Sequence, residues 1–210
     1  MRMAADDDKP KLRCLDAARY AVASAVTVLI LVVIVDAVVT VLRPGDLTLK
    51  VTGGYVSADN TSGPGNVTLR FTLRALNPSG RVRIYYTGIK GTFSGQINTS
   101  APAEDFRVFR IGNDIAIEQQ DSAEVAVLVS GPNNPNVMPP AYFNLLFNGG
   151  TIHDAMLKLN GSRTFEDYSG HNKTAEPAVY YCPSITVGGE YPETPDDLQC
   201  TEQLPASASS

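Results

Sequence analysis

From Tyr20 to Leu42 the chain reads "YAVASAVTVLILVVIVDAVVTVL", 23 residues in which only Ser24, Thr27, Asp36 and Thr40 interrupt the apolar run. As a helix rising about 1.5 Å per residue it is roughly 35 Å long, enough to cross a hydrocarbon core of about 30 Å. Fourteen of these positions are Val, Leu or Ile. Together they favour insertion by roughly 4 to 8 kcal/mol, whereas a central Asp costs about 2.5 to 3.5 kcal/mol and less away from the midplane. The apolar side wins despite Asp36. A cleaved signal peptide fits less well, because its apolar core is about 7 to 15 residues and leads into a small-x-small cleavage site. Here the run leads into "TVLRPG". The expectation is an uncleaved transmembrane helix over residues 20–42, with the lipid bilayer as its partner. The Asp36 carboxyl has two candidate roles: a protonated group reaching toward Arg43, or a polar contact with another membrane helix.

Orientation follows from the flanking charges. Arg2, Lys9, Lys11, Arg13 and Arg19 precede the run, and only Arg43 and Lys50 closely follow it. Cationic residues stay cytoplasmic, so residues 1–19 form a cytoplasmic basic stub and the remaining chain lies outside, a single-pass type II arrangement. Five N-x-Ser/Thr acceptors, at Asn60, Asn66, Asn98, Asn160 and Asn172, all fall after the run and mark glycosylation candidates. Asn77 is excluded by Pro78. Cys182 and Cys200 lie in the same exterior part, where oxidation is permitted, and a bridge would close a loop worth about 3 kcal/mol in the chain-entropy model. The alternative is two free thiols. Cys14 sits in the cytoplasmic stub close to the bilayer, a palmitoylation candidate. Of the formal net charge of −5, the stub carries +1 and the part after the run −5, with Asp36 between them. An acidic exterior without a basic, aromatic-rich cluster argues against nucleic acid.

Residues 43–188 alternate with a period of two. In "NVTLRFTLRA", Val67, Leu69, Phe71, Leu73 and Ala75 fall on one face, with Thr68, Arg70, Thr72 and Arg74 on the other. "RVRIYY" repeats the pattern, and "DLTLKVTGGYV", "GTFSGQI", "FRVFRI", "EVAVLVS", "HDAMLKLNG" and "AVYYCPSITV" are further candidate strands. Eight short strands between turn residues predict an all-β domain, an antiparallel β-sandwich. In "PPAYFNLLFNGG" the two prolines suit a helix start and Gly149 its C-terminal cap, so a short helix is expected over 140–148, with a strand as the alternative. Residues 189–210 form an acidic, Pro-rich tail, loose except where Cys200 ties it back. No apolar stretch follows to signal a glycolipid anchor.

Arg70, Arg74, Arg81 and Arg83 occupy the polar faces of two consecutive strands. If "NPSG" is a four-residue hairpin loop, Leu76 pairs with Arg81 and every inward residue meets another, but Arg74 then stands opposite Arg83. Like charges so placed destabilise a sheet unless an anion or acidic side chain lies between them. That register makes the four arginines a candidate anion site, for a wall polymer, lipid headgroup or acidic protein. The alternative is a connection crossing between two sheets, which separates the arginines.

The order of motifs resembles a known family. A basic stub, a single apolar run ending "VLRPG", then "LNPSGRVRIYY", "GIKGTFSG" and "YYCPSITVGG" is similar to plant late embryogenesis abundant proteins of group 2, specifically their membrane-bound branch related to harpin-induced and non-race-specific disease-resistance proteins. Asn77-Pro78 followed by Tyr85-Tyr86 is the strongest element, and the resemblance covers about residues 40–188. Ser79 stands where the family commonly has Asn, and the part after Asp105 is only loosely similar. The resemblance implies an immunoglobulin-like or fibronectin-type sandwich at the plasma membrane, a role in defence or abiotic-stress responses through protein or cell-wall contacts, and no catalysis or cofactor.

The residues themselves offer little chemistry. His153 lies in a strand-like stretch and His171 in a polar loop, both as structural or solvated side chains. "GTFSG" lacks the spacing of a nucleophile elbow, and no phosphate loop or zinc-spaced Cys/His set is present. Glu166-Asp167 and Asp196-Asp197 read as solvated acid pairs. A glycosyltransferase-like type II enzyme is the alternative, but the exterior part is small and lacks an Asp-x-Asp metal motif. Treating the protein from a plant host with an endoglycosidase is expected to increase its gel mobility, and an unchanged band would count against an exterior C-terminal part.

Overall fold

The computed structural model describes residues 9–42, 45–60, 65–97, 102–132, 134–167, 169–171, 174–191 and 196–203. The chain divides into two units, Met1–Arg43 and Pro44–Ser210. The first contains helix α1 (Lys9–Leu42), whose segment Ala17–Val39 is long and apolar enough to cross a membrane. That segment starts and ends three residues earlier than the expected 20–42. Val22, Leu29 and Val35 of this segment are 64, 65 and 59% exposed. Both the Asp36–Arg43 contact and the side chain of Cys14 lie outside the described residues.

The second unit is sheet-rich, with ten strands and one short α-helix among the described residues. Strand β3 (Asn66–Leu76) pairs along its length with β7 (Ser122–Pro132), from Asn66 opposite Pro132 to Leu76 opposite Ser122. Its other edge is shared by β2 (Tyr55–Asp59) and β1 (Thr48–Val51). A second group centres on β4 (Arg83–Gly95) and β8 (Thr151–Glu166), flanked by β5 (Glu104–Arg110), β6 (Ile115–Ile117) and β9 (Glu176–Gly188). The inner faces of the two groups meet at Phe71, whose ring packs edge-on against Phe93 and Phe109 with centroids 5.5 and 5.9 Å away. Leu49, Leu69, Leu73, Ile84 and Tyr86 are fully enclosed in the same core, each side chain contributing about 1.5–3 kcal/mol.

Several sequence expectations change here. "DLTLKVTGGYV" is not one strand. It breaks at a helical turn, Thr52–Gly54, where Gly53 and Gly54 take φ of 65° and 55°, values that favour glycine. Past that turn Tyr55 and Val56 pair in parallel with Thr186 and Val187, so the sheet is mixed rather than wholly antiparallel. "RVRIYY" and "GTFSGQI", read as separate strands, are one. Their phases differ because Gly88, at φ 62°, forms a bulge where the register with β8 shifts between Thr87 and Lys90. Inward residues are Ile84 and Tyr86 before the bulge, and Ile89, Gly91 and Phe93 after it. Gly91 leaves space for the ring of Phe109 opposite, since a Cβ there would come within 2.2 Å of it.

Helix α2 (Pro140–Phe147) forms as expected, starting at Pro140 and closing where Gly149 takes φ 77°. Its Tyr142 hydroxyl donates to the Gly95 carbonyl at 2.7 Å, and the ring stacks on Phe106. Cys182 and Cys200 are joined by a disulfide with their Cα atoms 4.1 Å apart. Around it, β10 (Leu198–Gln199) pairs with β1, and Thr201 exchanges backbone hydrogen bonds with Tyr181 at 2.7 and 2.8 Å. This part of the tail is therefore sheet.

The "NPSG" hairpin is overturned. β3 and β4 are not paired, and the chain crosses from one strand group to the other between them. Such a crossing buries backbone polar groups that need partners. Asn77 supplies them, at 1% exposure: its Nδ2 donates to the carbonyls of Val82 at 2.7 Å and Glu118 at 2.9 Å, with Ile117 at 3.3 Å. Its Oδ1 accepts from Ser79 N at 3.0 Å, and Ser79 Oγ accepts from the amides of Arg81 and Val82 at 3.3 and 3.4 Å. Replacing Asn77 by Ala orphans buried carbonyls, each costing about 1–3 kcal/mol. The expected loss is about 3 kcal/mol in chemical denaturation, and a change within error would show that the crossing does not depend on this side chain.

Candidate functional site

The four arginines do not form one site. Arg70 is exposed on β3 and Arg81 is exposed in the crossing. Arg74, opposite Lys50 and Glu124 in register, has Nε 3.7 Å from a Glu124 carboxylate oxygen and Nη1 3.9 Å from one of Asp197. Arg83 lies in the other strand group, opposite Glu166. Its Nε donates to Glu118 at 2.8 Å, and its Nη1 lies 3.4 Å from a Glu166 oxygen and 3.0 Å from the Tyr85 hydroxyl. The hydrogen bonds from Arg83 to Glu118 and Tyr85 push its pKa up further. The acidic neighbours foreseen for an Arg74–Arg83 pair exist, but each arginine has its own. The shared anion site falls with the hairpin.

Sequence reasoning missed two features. The first is Arg107, which is buried on the inner side of β5. A register shift between Phe93 and Ser94 turns both Phe106 and Arg107 inward. The guanidinium donates through Nη2 to the Ser130 carbonyl at 2.6 Å and through Nη1 to the Val137 carbonyl at 3.3 Å, tying β5 to β7 and the turn before α2. Burial lowers its pKa. The irregular spacing of "FRVFRI" was the available signal.

The second is a groove of about 380 Å³ on the outer face of the β4 group. Lys90, Thr92 and Ser94 of β4 and Lys158 and Asn160 of β8 form its floor, with Tyr181 of β9, Met156 and Asp105 along its sides. The register sets Lys90 beside Asn160 and Thr92 beside Lys158, and places Tyr181 next to Lys158, whose Nζ lies 5.6 Å from the ring centroid. On the other edge of β4, Lys90 stands opposite Arg110. Among the described residues Lys90, Arg110 and Lys158 make no ion pair.

Of the remaining candidates, Asn160 lies in the groove. Asn60 is exposed, with its Nδ2 3.2 Å from the Phe147 carbonyl, and Asn66 begins β3, half-buried. Asn98 and Asn172 lie outside the described residues. His153 is exposed on β8, and His171 is exposed in a loop where Ser169 Oγ lies 2.9 Å from its Nδ1. Glu166 is engaged by Arg83 and Tyr85, and Asp197 receives the Gly53 amide at 3.2 Å, so two of the acids read as solvated hold structure together.

No family model and no curated protein matches the chain. Among solved structures, a protein described as ApaA from Bordetella pertussis aligns at 11% identity with a TM-score of 0.35, covering 72% of this chain and 98% of its own. A protein from Archaeoglobus fulgidus aligns at 10% identity and TM-score 0.36, covering 70 and 97%. The ASH/PapD-like domain 7 of human CEP192 aligns at 11% identity and TM-score 0.26, covering 70 and 86%. Likenesses this distant do not bear on function.

Because Arg74 and Arg83 have separate partners in separate strand groups, Arg74→Gln and Arg83→Gln are expected to shift the melting temperature additively. A coupling beyond the scatter seen for independent sites would restore the paired-arginine arrangement.

Proposed function

We infer that the protein is a non-enzymatic, single-pass membrane protein with a cytoplasmic N-terminus, whose C-terminal unit acts outside the cell by binding. In this reading α1 is its permanent anchor, the β-rich unit is an immunoglobulin- or fibronectin-like sandwich, and the protein belongs with the membrane-bound branch of late embryogenesis abundant group 2. Its place is then the plasma membrane of a plant cell, and its role a defence or abiotic-stress response exerted through protein or cell-wall contacts.

The observation carrying this reading is the Cys182–Cys200 disulfide in the unit that follows the membrane-length helix. Disulfides persist in oxidising compartments and are rare in the cytosol. The sequons after the helix and the cations before it favour the same orientation. The order of motifs supports the family. Asn77-Pro78 has a structural task that suits such a motif, because it closes the crossing between strand groups.

The test is localisation of full-length protein tagged at either end in plant cells, with a membrane-impermeant biotinylation reagent applied to intact protoplasts. The expected outcome is a plasma-membrane signal with Lys90 and Lys158 labelled and Lys9 and Lys11 protected. Labelling of the N-terminal lysines alone, or retention in an internal membrane, would overturn the placement.

A further inference from the structure

We propose that the groove between Lys90, Lys158 and Tyr181 is a binding site for a linear, carboxylated polysaccharide of the polyuronate class. Three cations, Arg110 on β5, Lys90 on β4 and Lys158 on β8, stand on three successive strands of one outer face. None has an ion-pair partner among the described residues, in a chain of formal charge −5 whose Arg74 and Arg83 do have them. Lys90 and Arg110 are directly opposite, an arrangement that costs stability unless an anion lies between the two side chains. The sheet leaves that anion to be supplied by a ligand.

The spread of the charges selects the kind of anion. Arg110 is directly opposite Lys90 on strands about 4.8 Å apart, and Lys158 lies diagonally across from Lys90 at about 7–8 Å, so the cations are spread across the face instead of converging on one point. A compact phosphate or sulfate would meet one or two of them. A chain with one carboxylate per repeat can meet all three. Beside the cations the groove presents the hydroxyls of Thr92 and Ser94, the amide of Asn160, the Tyr181 ring and Met156, and the 48%-exposed Val108 stands opposite Thr92 on the neighbouring strand. Sugar rings offer both kinds of surface, hydroxyls on their edges and C–H groups on their faces. Asp105, at one end, is the acid of the lining and works against a polyanion. Asn160 is itself a sequon, so a glycan there would cover the site.

The geometry belongs to the β-rich unit alone, so a failure of the topology test would leave this proposal standing, and the reverse. The experiment uses full-length protein in phosphatidylcholine nanodiscs, carrying Ser162→Ala to keep the Asn160 side chain without a glycan. Binding of labelled polygalacturonate is measured against its methyl-esterified form, and against nanodiscs containing phosphatidylserine. Saturable binding that weakens with salt is expected for the free acid, with affinity at least about tenfold lower for the ester and for Lys90→Gln/Lys158→Gln. Asp105→Asn is expected to tighten binding, a gain that misfolding cannot produce. The proposal is overturned if ester and acid bind alike, if the double variant binds as the parent does, or if only phosphatidylserine membranes are bound. The last result would make the face a lipid surface.

Discussion

The buried carboxamide of Asn77 is the contact on which the arrangement of strands depends. β3 and β4 follow each other closely in sequence yet pair with different partners, so the chain between them passes from one strand group to the other, with Asn77 and Ser79 buried and Pro78, Gly80 and Arg81 exposed. The backbone groups buried at Asn77 and Ser79 cannot reach water, and each unpaired one costs about as much as a lost hydrogen bond. Asn77 gathers carbonyls from its own segment, at Val82, and from the segment after β6, at Ile117 and Glu118. Its backbone amide adds Asp121, and Ser79 O receives the amide of Gln120. Two segments about forty residues apart are thereby locked at one corner. That lock decides which strands are neighbours, and so which charged side chains meet.

Bulges then decide what each strand shows to solvent. In β4 the inward phase changes at Gly88, and β8 and β9 change theirs near Asp154 and Ser184, both at positive φ, where Ala155 and Ile185 face each other across a register shift. If the strand ran through Gly88 with regular alternation and no residue bulged out, Lys90 would share a face with Tyr86 and be driven into the core. An unpaired ammonium there is strongly unfavourable. With the bulge, Lys90, Thr92 and Ser94 line up on the outside beside Lys158 and Asn160. The groove exists because the strand is bulged.

Charges divide along the same lines. Arg74 and Arg83 lie against carboxylates of their own chain, exposed pairs that add little stability individually but neutralise each cation. Arg107 is buried and holds carbonyls, so it works as a clamp. The groove lysines have neither kind of partner among the described residues. In the other unit, the apolar residues of the segment Ala17–Val39 are exposed, a surface that an aqueous environment disfavours by about 25 cal/mol per Å².

The features legible in the sequence were those carried by local pattern. A long, mostly apolar run specifies a membrane-length helix whatever surrounds it, strict alternation in "NVTLRFTLRA" specifies a half-buried strand, and paired prolines with a following glycine specify α2, because in each case a few neighbouring residues contain the whole energetic argument. The two cysteines could be matched because few alternatives existed. Partner choice between strands was not legible. "NPSG" satisfies a hairpin and a crossing equally well at the local level, and only the carbonyls of Ile117 and Glu118, far along the chain, favour the crossing. The phase change at Gly88 was equally hidden, since two out-of-phase alternating stretches look like two strands until a continuous neighbour such as β8 is seen to pair with both. The arginines therefore parted and the lysines came together for one reason. Which faces meet is settled by long-range backbone pairing, and a local pattern carries no record of it.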